Sequence, residues 1–349
     1  MVLAIGILYN ALGAFCAASF YIPFRKVRGW AWETYWNVGN TLAYAIVPVI
    51  AAFVTVPDLV SVLRASPPGS IVYCCVFGFL WGIGNLLWGL SIRYLGLSLG
   101  YALTMGYCAA FGTILPPLVT GKFGALLTTT SGLVASGSVV VCLAGIAVCG
   151  WAGLAKEREL SQERNKESIG EFDFKKGMVV ALLCGIMSAC FAFGIEAGKP
   201  IADRALASGV NPDFANNLVC MLILVGGAVS NFVWCVILNL RNRTMKEYYS
   251  SGDVSLSSNY LLCALAGLIA YAGFMFYGMC APKMGKCDFA SWSIYMALII
   301  VFSNIWGLLF REWKGSGKRT LMLIVGGIII LIVSVGMAGL GAYLAFIGK

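Results

Sequence analysis

Residues 78–96 read GFLWGIGNLLWGLSIRYLG, and residues 267–285 read GLIAYAGFMFYGMCAPKMG. Aligned without a gap, Gly78 meets Gly267, Gly84 meets Gly273, Trp88 meets Tyr277, Gly89 meets Gly278 and Gly96 meets Gly285. The same small and aromatic surface is thus presented twice along a helix, which marks an internal duplication. Each copy is the third apolar span of its own half, so the match does not fall on unrelated segments.

Composition fixes the solvent. With 60% hydrophobic and 11% charged residues and a mean hydropathy of +0.87, the 349-residue chain has too little polar surface to cover a water-soluble globule. Apolar spans are expected at roughly 2–24, 34–57, 70–92, 96–120, 131–154, 177–200, 214–240, 258–281, 289–310 and 321–347. Each is long enough to cross about 30 Å of hydrocarbon as a helix. The expected fold is an all-α membrane protein of ten transmembrane helices arranged as two inverted five-helix repeats. Residues 1–154 form the first repeat, 155–176 a charged cytoplasmic linker and 177–349 the second repeat. An odd number of helices per repeat turns the second copy over in the membrane, a plan typical of secondary transporters.

Lys and Arg sort by side. Loops after spans one, three, five, seven and nine hold Arg25, Lys26, Arg28, Arg93, the basic residues of the central linker, Arg241, Arg243, Lys246, Arg311, Lys314, Lys318 and Arg319. The opposite side holds Arg64, Lys122, Lys199, Arg204, Lys283, Lys286 and Lys349. The richer side is expected to be cytoplasmic, with both termini periplasmic. The net charge of +9 therefore reads as topology signal and not as a nucleic-acid surface. Thirteen cysteines lie scattered through the spans without CxxC spacing and read as small apolar side chains.

Enzyme chemistry finds no support. There is no histidine, no carboxylate pair, no nucleophile elbow and no GxxxxGK[ST] loop. No metal and no cofactor is expected. Carboxylates in or at the ends of spans are costly in lipid and mark candidate ion pathways. Glu33 opens span two, Glu196 lies late in span six and Asp288 opens span nine. Glu33 and Asp288 also read as favourable charge at helix N-termini. Glu196 reads as a local pair with Lys199, three residues on.

Aromatic and amide residues form a second set. Trp30, Trp32, Tyr35 and Trp36 surround Glu33, and such residues also build the ordinary interfacial belt. Trp81, Asn85 and Trp88 recur at helical spacing and share one face, while Gly82 and Gly84 let another backbone come close. An amide between indoles suits a pyranose, whose C–H face covers the indole while its hydroxyls bond the amide. Helix packing glued by an amide fits the same residues.

These residues resemble the L-rhamnose–proton symporter family, a branch of the drug/metabolite transporter superfamily, over nearly the whole chain. The segments that carry the likeness are FYIPFRKVRGWAWETYW (Phe20 to Trp36), WGIGN with GLSIRYLGLSLG (Trp81 to Gly100), Lys199-Pro200, DFASW (Asp288 to Trp292) and REWKGSGKR (Arg311 to Arg319). The resemblance implies a ten-helix importer of a deoxy-sugar with a proton across the bacterial inner membrane. Tyr21, Trp81, Asn85, Trp292 and Tyr295 are the expected sugar contacts, in a cavity built from both halves. Glu33 or Asp288 is expected to carry the proton. Tyr295 stands where enterobacterial members carry histidine, Glu196 where they carry an amide, and Tyr101 and Tyr107 replace smaller residues. The expected partners are a sugar, protons and the lipid bilayer, with no nucleic acid. Two rival readings are an exporter of metabolites or drugs from the same superfamily and a sugar receptor that does not transport.

Overall fold

A backbone in lipid must satisfy its own N–H and C=O groups, and the apolar spans do so as helices. The computed structural model describes residues 2–119, 124, 128–159, 173–250, 254–284 and 288–347. Among the described residues every regular element is helical. In chain order these are α1 (Val2–Ser19), α2 (Tyr21–Phe24), α3 (Trp32–Thr41), a π-helical turn (Leu42–Ile46), α4 (Val47–Thr55), α5 (Leu59–Ala65), α6 (Pro68–Val119), α7 (Thr130–Glu159), α8 (Phe174–Ala207), α9 (Asn217–Asn242), α10 (Leu256–Met284), α11 (Asp288–Leu309) and α12 (Lys318–Phe346). Short 3₁₀ turns occupy Pro212–Phe214 and Met245–Tyr248.

Among the described residues eight stretches are long and apolar enough to cross a membrane, which makes this a multi-pass membrane protein. They are Ala4–Phe24, Trp32–Thr55, Pro68–Gly96, Thr130–Lys156, Phe174–Ala207, Pro212–Asn242, Leu256–Cys280 and Lys318–Gly341, and Ile294–Leu309 is a shorter apolar helix. Their outer faces carry Val54, Leu261 and Met322, at 79%, 71% and 67% exposure. Such side chains need lipid around them.

As one straight rod α6 would run about 78 Å, more than twice the hydrocarbon thickness. It breaks at Gly96, where φ is 82° and ψ 175°, a conformation that costs glycine alone little. The break falls at the last glycine of the duplicated stretch. In α8 the helix runs on through Pro200 to Ala207, beyond the end expected at residue 200.

The chain divides into two compact units, each drawing on segments from both sides of the central linker. Residues 160–172 of that linker lie outside the described residues. The first unit comprises Met1–Ala18, Gly84–Ala189 and Cys280–Lys349. Within it α12 lies along α7 and α11 packs on α12. Ser334 donates to the Ser138 carbonyl at 3.1 Å across the α7–α12 contact. At the start of α12 the Glu159 carboxylate accepts from the Gly317 N–H and the Thr320 hydroxyl, both at 2.7 Å. These two bonds hold its carboxyl below the usual range. Nearby, buried Lys156 places Nζ 5.1 Å from the centre of the Trp313 ring.

The second unit comprises Ser19–Ile83 and Cys190–Met279. Here α3, the π turn and α4 follow one another along α9. On α6, a Cβ at Gly78 would collide with the Ile223 carbonyl of α9, so the two backbones touch there. Its counterpart Gly267 on α10 faces α3 in the same way, with an added Cβ 2.7 Å from the Gly39 carbonyl oxygen. Small residues at such crossings replace the hydrophobic driving force that lipid removes.

Candidate functional site

The start of α3 gathers a cluster of polar groups, of which Glu33, Thr34, Asn37 and Asn239 are buried. Ala31 caps the helix with an extended backbone, so Trp32 and Glu33 begin its first turn. The Ala31 N–H donates to Glu247 Oε2 at 2.7 Å, and the Thr34 hydroxyl donates to the same oxygen at 2.7 Å. Glu33, 4% exposed, accepts in turn from Asn242 Nδ2 at 2.9 Å and from the Thr244 hydroxyl at 3.0 Å. Each carboxylate therefore satisfies the chain segment that carries the other.

Asn239 joins the two arms. Its amide N–H groups donate to Thr34 Oγ1 at 2.9 Å and Thr244 Oγ1 at 2.8 Å. Its carbonyl accepts from the Tyr248 hydroxyl at 2.8 Å, which accepts from Asn37 Nδ2 at 2.9 Å. Burial pushes the Tyr248 phenol up to about 12, so it stays a donor throughout the physiological range. Neither carboxylate is ion-paired with a Lys or Arg of the described residues.

One turn deeper, Asn231 of α9 is 1% exposed. Its Oδ1 accepts from Trp36 Nε1 at 3.2 Å and from Asn40 Nδ2 at 3.1 Å. Its amide donates to the Gly82 and Gly227 carbonyls at 3.0 and 2.9 Å. Trp32 stacks on Trp36 with ring centres 5.1 Å apart. Trp30 meets Tyr260 edge-on at 5.0 Å. Both Trp30 and Trp32 are buried, and their Nε1 groups have no acceptor among the described residues.

The expected sugar contacts fall into several settings. Tyr21 packs against Phe20, Phe24 and Trp36 and shares a 3.3 Å hydroxyl contact with Tyr35. Trp81 sits in an aromatic cluster with Tyr44 of the π turn, Phe191 and Phe274, at ring distances of 5.2, 5.4 and 5.3 Å. The division between the units passes just after Ile83, so Trp81 belongs to one unit while Asn85 and Trp88 belong to the other. Asn85 is 2% exposed, and Trp88 meets Tyr101 edge-on at 5.1 Å. Trp292 spends its N–H on the Cys108 carbonyl at 3.1 Å, and its ring centre lies 6.5 Å from that of Tyr295. Close by in sequence, Ser291 O accepts from Asn10 Nδ2 at 2.9 Å, while buried Asn10 Oδ1 has no partner among the described residues. The Asp288 backbone opens α11, but its side chain lies outside the described residues. Glu196 pairs with Lys199 at 2.5 Å, as their spacing implies, and both are more than half exposed.

Sequence reasoning singled out Glu33 but missed Glu247, Asn239 and Asn231. The amides did leave a signal. Asn231 and Asn239, eight residues apart, repeat on one face of an otherwise apolar span.

The described residues form an all-helical, multi-pass membrane protein that buries the Glu33 carboxylate among neutral hydrogen-bond donors. The model of the L-rhamnose-proton symport protein (RhaT) family matches residues 1–344, and the chain belongs to that family. It is 37% identical over 342 residues to a protein named L-rhamnose-proton symporter in Cronobacter sakazakii, covering 97% of this chain and 98% of the relative. Proteins of the same name in Yersinia pestis and Yersinia pseudotuberculosis are 35% identical over 340 residues, covering 97% of both chains.

Proposed function

We propose that this protein imports L-rhamnose or a closely related deoxy-sugar together with protons across the bacterial inner membrane. The observation that carries the reading is the likeness to proteins named L-rhamnose-proton symporter, over 97% of this chain and 98% of the Cronobacter sakazakii relative. Glu33 supports it from the structure. A carboxylate 4% exposed inside a membrane protein, held by the Asn242 amide and the Thr244 hydroxyl, is the kind of group that marks an ion pathway.

The architecture that serves this function is ten transmembrane helices in two inverted repeats, 1–154 and 177–349, around a charged linker at 155–176. The paired glycines support it: Gly78 of the third span meets the seventh, and Gly267 of the eighth span meets the second. Those are the contacts an inverted repeat exchanges. The sidedness of the basic loops supports a cytoplasmic linker and periplasmic termini. Tyr21, Trp81, Asn85, Trp292 and Tyr295 are the proposed sugar contacts, and Glu33 or Asp288 carries the proton. Proton arrival favours the sugar-binding state by neutralising a charge that closure would otherwise desolvate.

A binding screen of the purified protein against L-rhamnose, other deoxy-sugars and common hexoses at two pH values tests the sugar assignment. L-Rhamnose is expected to bind at least tenfold tighter than D-glucose, with the affinity higher at the lower pH. Equal affinity for the whole panel, or tighter binding of a hexose, overturns the assignment.

A further inference from the structure

The hydrogen bonds at the start of α3 run in one direction. Asn37 donates to Tyr248, Tyr248 to Asn239, and Asn239 to both Thr34 and Thr244. Those two hydroxyls have their protons left for Glu247 and Glu33. An amide N–H cannot accept, so neither arm can reverse its bond to Asn239, and the chain ends on two acceptors. The network is wired for two ionised carboxylates.

The same bonds tie two segments together. Glu33 lies in the first turn of α3 and holds Asn242 and Thr244 at the end of α9; Glu247 follows α9 and holds Ala31 and Thr34 at the start of α3. The groups around them that titrate are Cys235 of α9, Tyr248 and Tyr260 of α10, all neutral donors near neutral pH. Arg28, Arg241, Arg243 and Lys246 flank the network in sequence, and none is ion-paired with either carboxylate. Hydrogen bonds to an ionised acceptor are roughly twice as strong as neutral ones. A proton on either carboxylate therefore slackens that arm.

Resting on the proton-coupled reading above, we infer that Glu33 and Glu247 are the two ends of one proton-operated clasp. It holds the start of α3 to the segment after α9 while both are ionised and slackens when either takes a proton. Glu247 is thereby a second coupling carboxylate, and Asn239 a positioning residue that makes the two arms respond together. By the charge of its flanking loops the clasp lies at the cytoplasmic end. There, loss of the proton to the cytoplasm tightens it and resets the empty carrier.

The test uses the full chain in liposomes, with two readouts of labelled L-rhamnose. One is accumulation driven by an inward proton gradient, and the other is exchange at equal pH on both sides. Glu247→Gln fixes its arm in the neutral form. Accumulation is expected to fall at least tenfold while exchange persists and loses the pH dependence that the unaltered protein shows between pH 5.5 and 8. Glu33→Gln is expected to show the same split, and Glu247→Asp to recover part of the accumulation. The clasp is overturned if Glu247→Gln accumulates sugar like the unaltered protein. It is equally overturned if exchange and accumulation fall together, since that marks a structural role only. Absence of gradient-driven accumulation in the unaltered protein is a separate outcome, which defeats the proton-coupled reading and the clasp with it.

Discussion

Gly78→Ala is expected to lower the thermal stability of the purified protein sharply. The added methyl runs into backbone, the carbonyl of Ile223, and not into a side chain that can rotate away. The α6 and α9 helices must then separate, which costs about 1–3 kcal/mol for overpacking alone and more if neighbouring contacts are lost. Gly267→Ala is expected to act in the same direction through the Gly39 carbonyl, at 2.7 Å from the new carbon. Gly326→Ala is the control. Nothing lies within 4 Å of its added carbon, and in the interior of α12 alanine is favoured over glycine by about 1 kcal/mol. Melting curves in detergent that rank Gly78→Ala beside Gly326→Ala contradict the packing described here.

Asn231→Leu is the second large effect. The change is close to isosteric, so little strain is added, but it leaves the donors of Trp36 and Asn40 without their acceptor. It also strips the Gly82 and Gly227 carbonyls of an extra donor. Each orphaned buried group costs about 1–3 kcal/mol, so a loss of several kcal/mol is expected where two donors are stranded together. Trp36→Phe should cost less than Asn231→Leu, because it removes only one of the four bonds. The double variant should cost less than the sum of the two, since both remove the same contact. Simple additivity in melting experiments argues against a shared network.

That the chain crosses a membrane several times was legible in its long-range composition, while its family was legible only through the resemblance carried by segments such as Phe20 to Trp36 and Trp81 to Gly100. Apolar spans, the sidedness of Lys and Arg and the repeated glycines need no coordinates. Gly82 and Gly84 were read as points of close backbone approach, and the structure places them so. An added carbon at Gly82 meets Gly227 of α9, and one at Gly84 meets Met187 and Ser188 of α8. The pair of Glu196 and Lys199 was also legible, because a spacing of three on a helix fixes the geometry locally.

What the sequence hid depends on which helix faces which. Periodicity puts Trp81, Asn85 and Trp88 on one face, but it cannot say that Trp81 packs among Tyr44, Phe191 and Phe274 while Trp88 packs on Tyr101. Trp30 and Trp32 sit among residues typical of an interfacial belt, yet both are buried inside the second unit. Glu247 follows α9 among Arg241, Arg243 and Lys246, and its position in the sequence does not reveal what it binds. Its role depends on Ala31 and Thr34, more than two hundred residues earlier, which only the folded chain brings to its carboxylate.

Uptake of labelled L-rhamnose by cells producing the protein, measured with and without a protonophore, tests the central claim most directly. Coupled import predicts rapid accumulation that collapses to the level of cells lacking the protein once the proton gradient is dissipated. Accumulation that is unchanged by the protonophore would contradict the account.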